Sequence, residues 1–205
     1  MSESICTAVI GIVGTLAGTV LGWLLNNVSR RGKLRAFVAK WDEDYKFNDV
    51  GSMVGAPSYD EAERYSYELT LDVYNSSSDT KIMRDFRMEF LKGRKIVASE
   101  VPLNADNRGS GLCKTMGTLN VAPKSVVLVH LVGGFWRSNF AQFDEINSSS
   151  KVRLSYKGEG RADRHFFIDA IKGEARFDKI ERSRKRSRSR AMLNGCPLTR
   201  FCQLR

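Results

Sequence analysis

Hydrophobic and polar positions divide the chain into three unlike stretches. From Ser4 to Ser29 there are 26 consecutive residues without a charged side chain. About 20 apolar residues of helix cross the roughly 30 Å hydrocarbon core of a bilayer. The pattern therefore predicts a single transmembrane anchor helix over residues 1–29. A cleavable export signal wants a positively charged start, a shorter apolar run and a small-residue cleavage site. Here the start is Met1-Ser2-Glu3-Ser4, and no such site follows Trp23-Leu24-Leu25. A retained span is the expectation.

The middle of the chain alternates with a period of two. Tyr65, Tyr67, Leu69, Leu71 and Val73 interleave with Ser66, Glu68, Thr70, Asp72 and Tyr74, the mark of a half-buried strand. Further strands are predicted at 34–41, over the stretch carrying Ile82, Phe86, Met88 and Phe90 on one face, and at 95–101. Two more are expected on either side of Pro123, with Val126–Val132 buried on both faces. Val152, Leu154 and Tyr156 then pair with residues 164–171 across the Gly158–Gly160 turn. Residues 42–63 read as a long polar connection, and 75–80 and 104–111 as loops. Seven or eight short strands with turns about every ten residues predict a mainly β, antiparallel sandwich over residues 36–172. The pattern resembles Ig-like sandwiches as an architecture. A Cys…Trp…Cys core is missing, so an antibody-type domain is not implied.

Four glycines, Gly11, Gly14, Gly18 and Gly22, sit inside the apolar segment. At about 100° per residue they fall with Thr7, Thr15 and Asn26 inside an arc of about 120°. Such a small-residue face lets two helices approach closely, with threonines bonding across. Self-association through this face is the functional expectation, and a plain anchor with permissive glycines is the alternative.

Charge sharpens the organisation. The net +10 is not spread evenly: residues 36–172 are neutral, the basic juxtamembrane segment 30–35 carries +4, and residues 173–205 carry +7. Arg30, Arg31, Lys33 and Arg35 follow the apolar run directly. By the positive-inside rule they put the N-terminus outside and the folded domain in the cytoplasm. They also suit anionic lipid headgroups. The last stretch, with Arg182, Arg184, Lys185, Arg186, Arg188 and Arg190, lacks apolar periodicity and reads as a disordered basic tail over 173–205. Anionic lipid or, less favoured, nucleic acid would be its partner. Asn75-Ser76-Ser77 and Asn147-Ser148-Ser149 are the one feature favouring the opposite orientation, since they are acceptor sequences in a eukaryotic lumen.

No constellation for catalysis assembles. His130 reads as a sheet histidine, and His165 as a strand residue near Asp163. No nucleophile elbow, phosphate-binding glycine loop or dinucleotide fingerprint is present. Cys6, Cys113, Cys196 and Cys202 lack zinc spacing, and the acidic runs Asp42-Glu43-Asp44 and Asp60-Glu61-Ala62-Glu63 read as solvated surface. No cofactor or metal is expected. Phe135, Trp136, Arg137 and Phe140 stand out as a possible interface, with Phe143 extending them into a helical stripe; the competing assignment is a cap on the core. The sequence thus describes a non-catalytic, membrane-tethered interaction or scaffold module. An oligomerising, pore- or holin-like protein and a tethered nucleic-acid binder are the alternatives.

Overall fold

The computed structural model describes residues 2–30, 32–106, 114–138, 140–160, 162–171 and 174–194; the side chains of 2–8, 140, 141, 188 and 190–194 lie outside that description. Helix α1 covers Ser2–Arg30. The strands follow as β1 (Leu34–Asp49), β2 (Ser52–Gly55), β3 (Arg64–Asn75), β4 (Lys81–Lys92), β5 (Lys95–Glu100), β6 (Leu103–Asn104), β7 (Leu119–Val121) and β8 (Val126–Trp136). Helix α2 (Phe140–Asn147) precedes β9 (Lys151–Lys157) and β10 (Asp163–Ala170), and α3 (Arg176–Asn194) closes the described chain. One sheet has the order β2-β1-β3-β8-β6 and the other β10-β9-β4-β5, with β7 on the first residues of β4. Every pairing is antiparallel. The protein is a mainly β, Ig-like sandwich with an apolar helix at its N-terminal side.

The core lies between the sheets. Its inner face on β3 is the alternating set Tyr65, Tyr67, Leu69, Leu71 and Val73, all buried as the period of two predicts. Leu131 of β8 lies beside them in the same sheet, and Met88 and Phe90 of β4 and Leu154 of β9 belong to the facing one. Rings cross between the layers: Tyr65 meets Phe90 edge-on at 5.5 Å, and Phe90 meets Phe135 at 5.6 Å. Edge-to-face pairs of this kind add about 0.5–1.5 kcal/mol each beyond their burial.

Four expectations are corrected. Residues 42–63 are not a long connection: β1 runs on to Asp49 and folds back through β2. Tyr45 and Glu43 face inward there, so an inward carboxylate disguised the strand. On β4, Met83 rather than Ile82 enters the core, because a bulge between Arg84 and Arg87, with Asp85 at φ 54°, shifts the alternation. β8 is buried on both faces only at Leu131–Val132, and Val126 and Leu128 are exposed. The tail expected to be disordered is helical over Arg176–Asn194, and Phe177 and Ile180 belong to the core. Over 176–190 two apolar residues among eight bases were too sparse to show a period. Residues 195–205, with Cys196 and Cys202, lie outside the described residues, as does Cys113.

The end of the sandwich next to α1 is pinned by polar contacts. Asn75 is buried, its Nδ2 donating to the carbonyls of Asp79 at 2.8 Å and Val121 at 3.0 Å, while its Oδ1 accepts from Ser77 N at 3.0 Å. Ser76 Oγ accepts from Lys33 N and donates to Lys33 O, each at 2.8 Å. Ser78 N donates to Ser29 O at 3.2 Å, and Arg30 pairs with Asp79 at 3.8 Å. Gly32 lies so close to the Ser76–Ser77 backbone that a Cβ would overlap it.

A different constraint sits over β8. Any Cβ at Gly133 would overlap Glu100 Oε1 and the Tyr67 hydroxyl, so glycine leaves the room in which this carboxyl is buried. Burial pushes the Glu100 carboxyl up from 4.5 to about 7, against the opposing pull of Tyr67, Gly134 N–H and Arg64. Because the folded value is the higher one, Glu100 stabilises most below about pH 4.5 and progressively less as pH rises through 7. Glu100→Gln should therefore gain stability over the parent chain at pH 8, by up to about 3 kcal/mol, and lose that advantage at pH 4. Urea unfolding of the detergent-solubilised chain at the two pH values measures the difference; an equal effect at both would contradict it.

Candidate functional site

The least ordinary chemistry lies where α3 crosses β1 and β10. Arg176 is fully buried, and its guanidinium bonds Glu43 Oε2 at 2.5 Å and Asp169 Oδ2 at 3.1 Å. Lys179, one turn on, bonds Glu43 Oε1 at 3.0 Å and Asp169 Oδ2 at 2.8 Å. The Tyr65 hydroxyl donates to Glu43 Oε2 at 2.8 Å, and Arg176 Nε donates to Ser149 Oγ at 3.2 Å. The guanidinium carbon of Arg176 lies 5.8 Å from the Phe90 ring centre. Glu43 belongs to one sheet and Asp169 to the other, so two cations of one helix clasp both sheet edges.

Electrostatics follow from that geometry. Burial works against the charge on Arg176, but Tyr65, Glu43 and Asp169 outweigh it and its pKa rises. Burial raises the Asp169 carboxyl, but Lys179 and Arg176 hold it below the usual value. Burial, with Glu43 beside it, pushes the Tyr65 phenol well up. The group is balanced, two charges of each sign, and its members hold one another rather than aim at a substrate.

Further along α3, Arg184 bonds Asp44 and donates to the carbonyls of Ala56 at 2.9 Å and Tyr45 at 2.8 Å. A cleft of about 440 Å³ lies between α3 and β1, walled by Trp41, Asp44, Lys179 and Arg184. The helix is seated at its start by Asn147, whose Oδ1 accepts from Phe177 N at 2.9 Å. The acidic run Asp42-Glu43-Asp44, expected to be solvated, is thus largely engaged by the helix expected to be a free tail.

The other predicted residues fall as follows. Cβ atoms at Gly11, Gly14, Gly18 and Gly22 would meet nothing within 4 Å, so the glycine face of α1 is open within this chain. Thr15 and Thr19 donate back to Gly11 O at 2.8 Å and Thr15 O at 2.9 Å of their own helix. Arg35 is exposed on β1, and Arg31 lies outside the described residues. Arg182 pairs with Glu174, Lys185 pairs with Glu181 at 2.7 Å, and Arg186 is exposed. The side chains of Arg188 and Arg190 are outside the description.

The aromatic group is not one helical stripe, because Phe135 and Trp136 end β8 and face opposite sides. Phe135 and Phe143 are in the core, as the capping assignment has it. Trp136 is half-exposed under the Arg64 guanidinium at 4.9 Å. Arg137 is held in the fold: its Nη1 donates to the carbonyls of Tyr59 at 2.8 Å, Asp60 at 2.5 Å and Ala62 at 2.9 Å. The Phe140 side chain is outside the description. His130 is a half-exposed sheet residue, its Nδ1 2.8 Å from Asp106 Oδ1. His165 stands edge-on to Phe167 at 5.2 Å. Among the described residues no His, Cys, Asp or Glu cluster has the arrangement of a metal site.

By class the structure is an antiparallel two-sheet β domain, with its buried arginine engaged inside the fold. The chain belongs to the YopI Ig-like domain family, which matches residues 32–167. It is similar to the SPbeta prophage-derived uncharacterized protein YopI of Bacillus subtilis (strain 168), 23% identical over 94 residues. That match covers 45% of this chain and 53% of the relative, so the chain spans about half the length of the curated relative it matches. Among solved structures it is similar to an uncharacterized β-sandwich protein from Clostridium difficile 630, with a TM-score of 0.30 and 13% identity over 67% of this chain and 86% of that one. A protein from Archaeoglobus fulgidus matches with a TM-score of 0.33 and 9% identity over 66% of this chain and 100% of that one. No catalytic family is indicated.

The clasp makes a direct prediction. Arg176→Ala leaves Glu43 buried with one cation fewer and should cost about 3–5 kcal/mol. Arg176→Met combined with Glu43→Leu, which removes both charges, should recover most of that loss. Asp169, held below its ordinary value, contributes stability above its unfolded pKa that disappears as pH falls through the folded one, so the double variant should lose less of its stability in acid. Urea titrations from pH 7 to pH 3 check all three; equal stability of Arg176→Ala and the parent would remove the clasp from the account.

Proposed function

We propose that this chain is a membrane-tethered, non-catalytic Ig-like module that presents its sandwich to a protein partner in the cytoplasm. The observation that carries this reading is α1. Over Val9–Arg30 it is long and apolar enough to cross a membrane, none of that stretch is buried against the rest of the chain, and it ends three residues before β1. A signal segment passes the same length test; the contacts from Ser29 and Arg30 to Ser78 and Asp79 favour a retained helix built into the domain.

The basic residues Arg30, Lys33 and Arg35 after the helix support a cytoplasmic domain. The burial of Asn75 also supports it, because an amide with both ends bonded inside the fold is closed to a glycan. The open glycine face supports self-association in the bilayer, by close backbone packing rather than by the threonines, which bond within their own helix.

Orientation is tested with a cysteine at the β1–β2 turn, where Val50 is 99% exposed. In a chain with its native cysteines changed to serine, Val50→Cys should resist a membrane-impermeant maleimide in spheroplasts and react after permeabilisation. Reaction in intact spheroplasts would reverse the orientation, and release of the chain by alkaline carbonate would end the tether. Gly14→Leu with Gly18→Leu disturbs no contact within the chain, and should weaken α1 self-association in a membrane reporter by about 1–2 kcal/mol. Unchanged association would make α1 an anchor alone.

A further inference from the structure

The outer face of the β2-β1-β3-β8-β6 sheet is not uniform. Register sets its residues in ranks across β1, β3 and β8. Nearest α1 comes Arg35–Tyr74–Val126, then Phe37–Asp72–Leu128. Beyond them lie Lys40–Thr70–His130 and the acidic pair Asp42–Glu68. The solvent side of an antiparallel sheet is ordinarily polar. In the first two ranks, however, Phe37, Val126 and Leu128 are 57%, 60% and 53% exposed. Arg35 and, at the mouth of the strand, Lys33 flank them, and Asp72 is the one carboxylate in these ranks.

Position and charge identify what covers this face. Val9–Val28 spans about 30 Å at helical rise, the thickness of a hydrocarbon core. Arg30 then lies in the headgroup zone. The two apolar ranks lie within about 10 Å of Leu34 at strand rise, and that zone is itself about 5–8 Å deep. Apolar side chains rimmed by bases suit an anionic interface. A second copy stacked on the same face would bring its own Arg35 and Lys40 against these.

We propose that this sheet face, through Phe37, Val126 and Leu128 with Lys33 and Arg35, rests on the anionic headgroup surface of the bilayer that α1 enters. The inference rests on the membrane reading above and adds a second contact, which fixes how the sandwich stands on the membrane and leaves the α3 end pointing away.

The test uses the full chain in vesicles of phosphatidylglycerol and phosphatidylethanolamine, in the serine background, with an environment-sensitive fluorophore on Leu128→Cys, Val126→Cys or, for reference, Val50→Cys. Circular dichroism checks that each folds as the parent does, and the two patch variants guard against failure of one. The label at 128 or 126 should emit to the blue and be quenched by iodide about threefold less than at 50, and the difference should shrink in pure phosphatidylcholine. If the chain floats with the vesicles but the patch label is as open to iodide as the reference, the docking is wrong and the tether stands. If the chain does not float, the tether fails and the docking with it. Shielding that persists in detergent and falls on dilution would assign the face to a second copy and overturn the proposal.

Discussion

The fold depends on four mutually paired charges gathered round the fully buried Arg176. Arg176 and Lys179 reach from α3 to Glu43 on β1 and Asp169 on β10, and so join the edges of two sheets whose inner faces pack together. Beyond Lys46, where β2 stops, the remaining length of β1 has no strand on its outer side. An open edge of that length invites pairing with other chains, and covering it with a helix is one of the ways proteins manage it. α3 lies along part of that edge. Burying charge is expensive, and the arrangement holds because both Glu43 oxygens and Asp169 Oδ2 each meet a cation.

β1 links this clasp to the opposite end of the molecule. Its 16 residues extend for about 50 Å at strand rise. At its start, Gly32 and Lys33 fit against the Asn75–Ser77 turn, and near its far end Glu43, Asp44 and Tyr45 receive α3. The same strand thus carries the apolar helix at one end and the basic helix at the other. The two basic segments of the sequence, alike in composition, have different surroundings: one opens onto the end of α1, while the other is partly drawn into ion pairs with the sandwich.

Legibility in the sequence followed the locality of the cause. β3 was plain because each of its inward residues is apolar and each outward one polar or half-buried, so the signal repeats within a single strand. The far half of β1 was hidden because its inward positions are Trp41, Glu43 and Tyr45, and a carboxylate at a core position is meaningless without its partner 133 residues away. The bulge after Arg84 changed which of Ile82 and Met83 turns inward, a shift that no pattern read residue by residue contains. Arg176 could not be told from the other bases of its segment, although among the described ones it alone is fully buried. Within α3, the spacing of Arg176, Phe177, Ile180 and Arg184 on one helical face was the available signal, and the density of charge around it masked the two apolar members.

The residues that match the family end at 167, inside β10. Asp169, Arg176 and Lys179, three of the four clasp charges, come after that point, as do the core residues Phe177 and Ile180. The boundary of the recognisable domain and the boundary of the cooperative unit therefore differ in this chain. A sandwich cut at the family limit would leave Glu43 buried without a cation and Tyr45 without the Phe177 ring that meets it at 5.4 Å. Since an unpaired buried charge costs several kcal/mol, comparable to the whole stability of a small domain, α3 is part of the fold rather than an appendage to it.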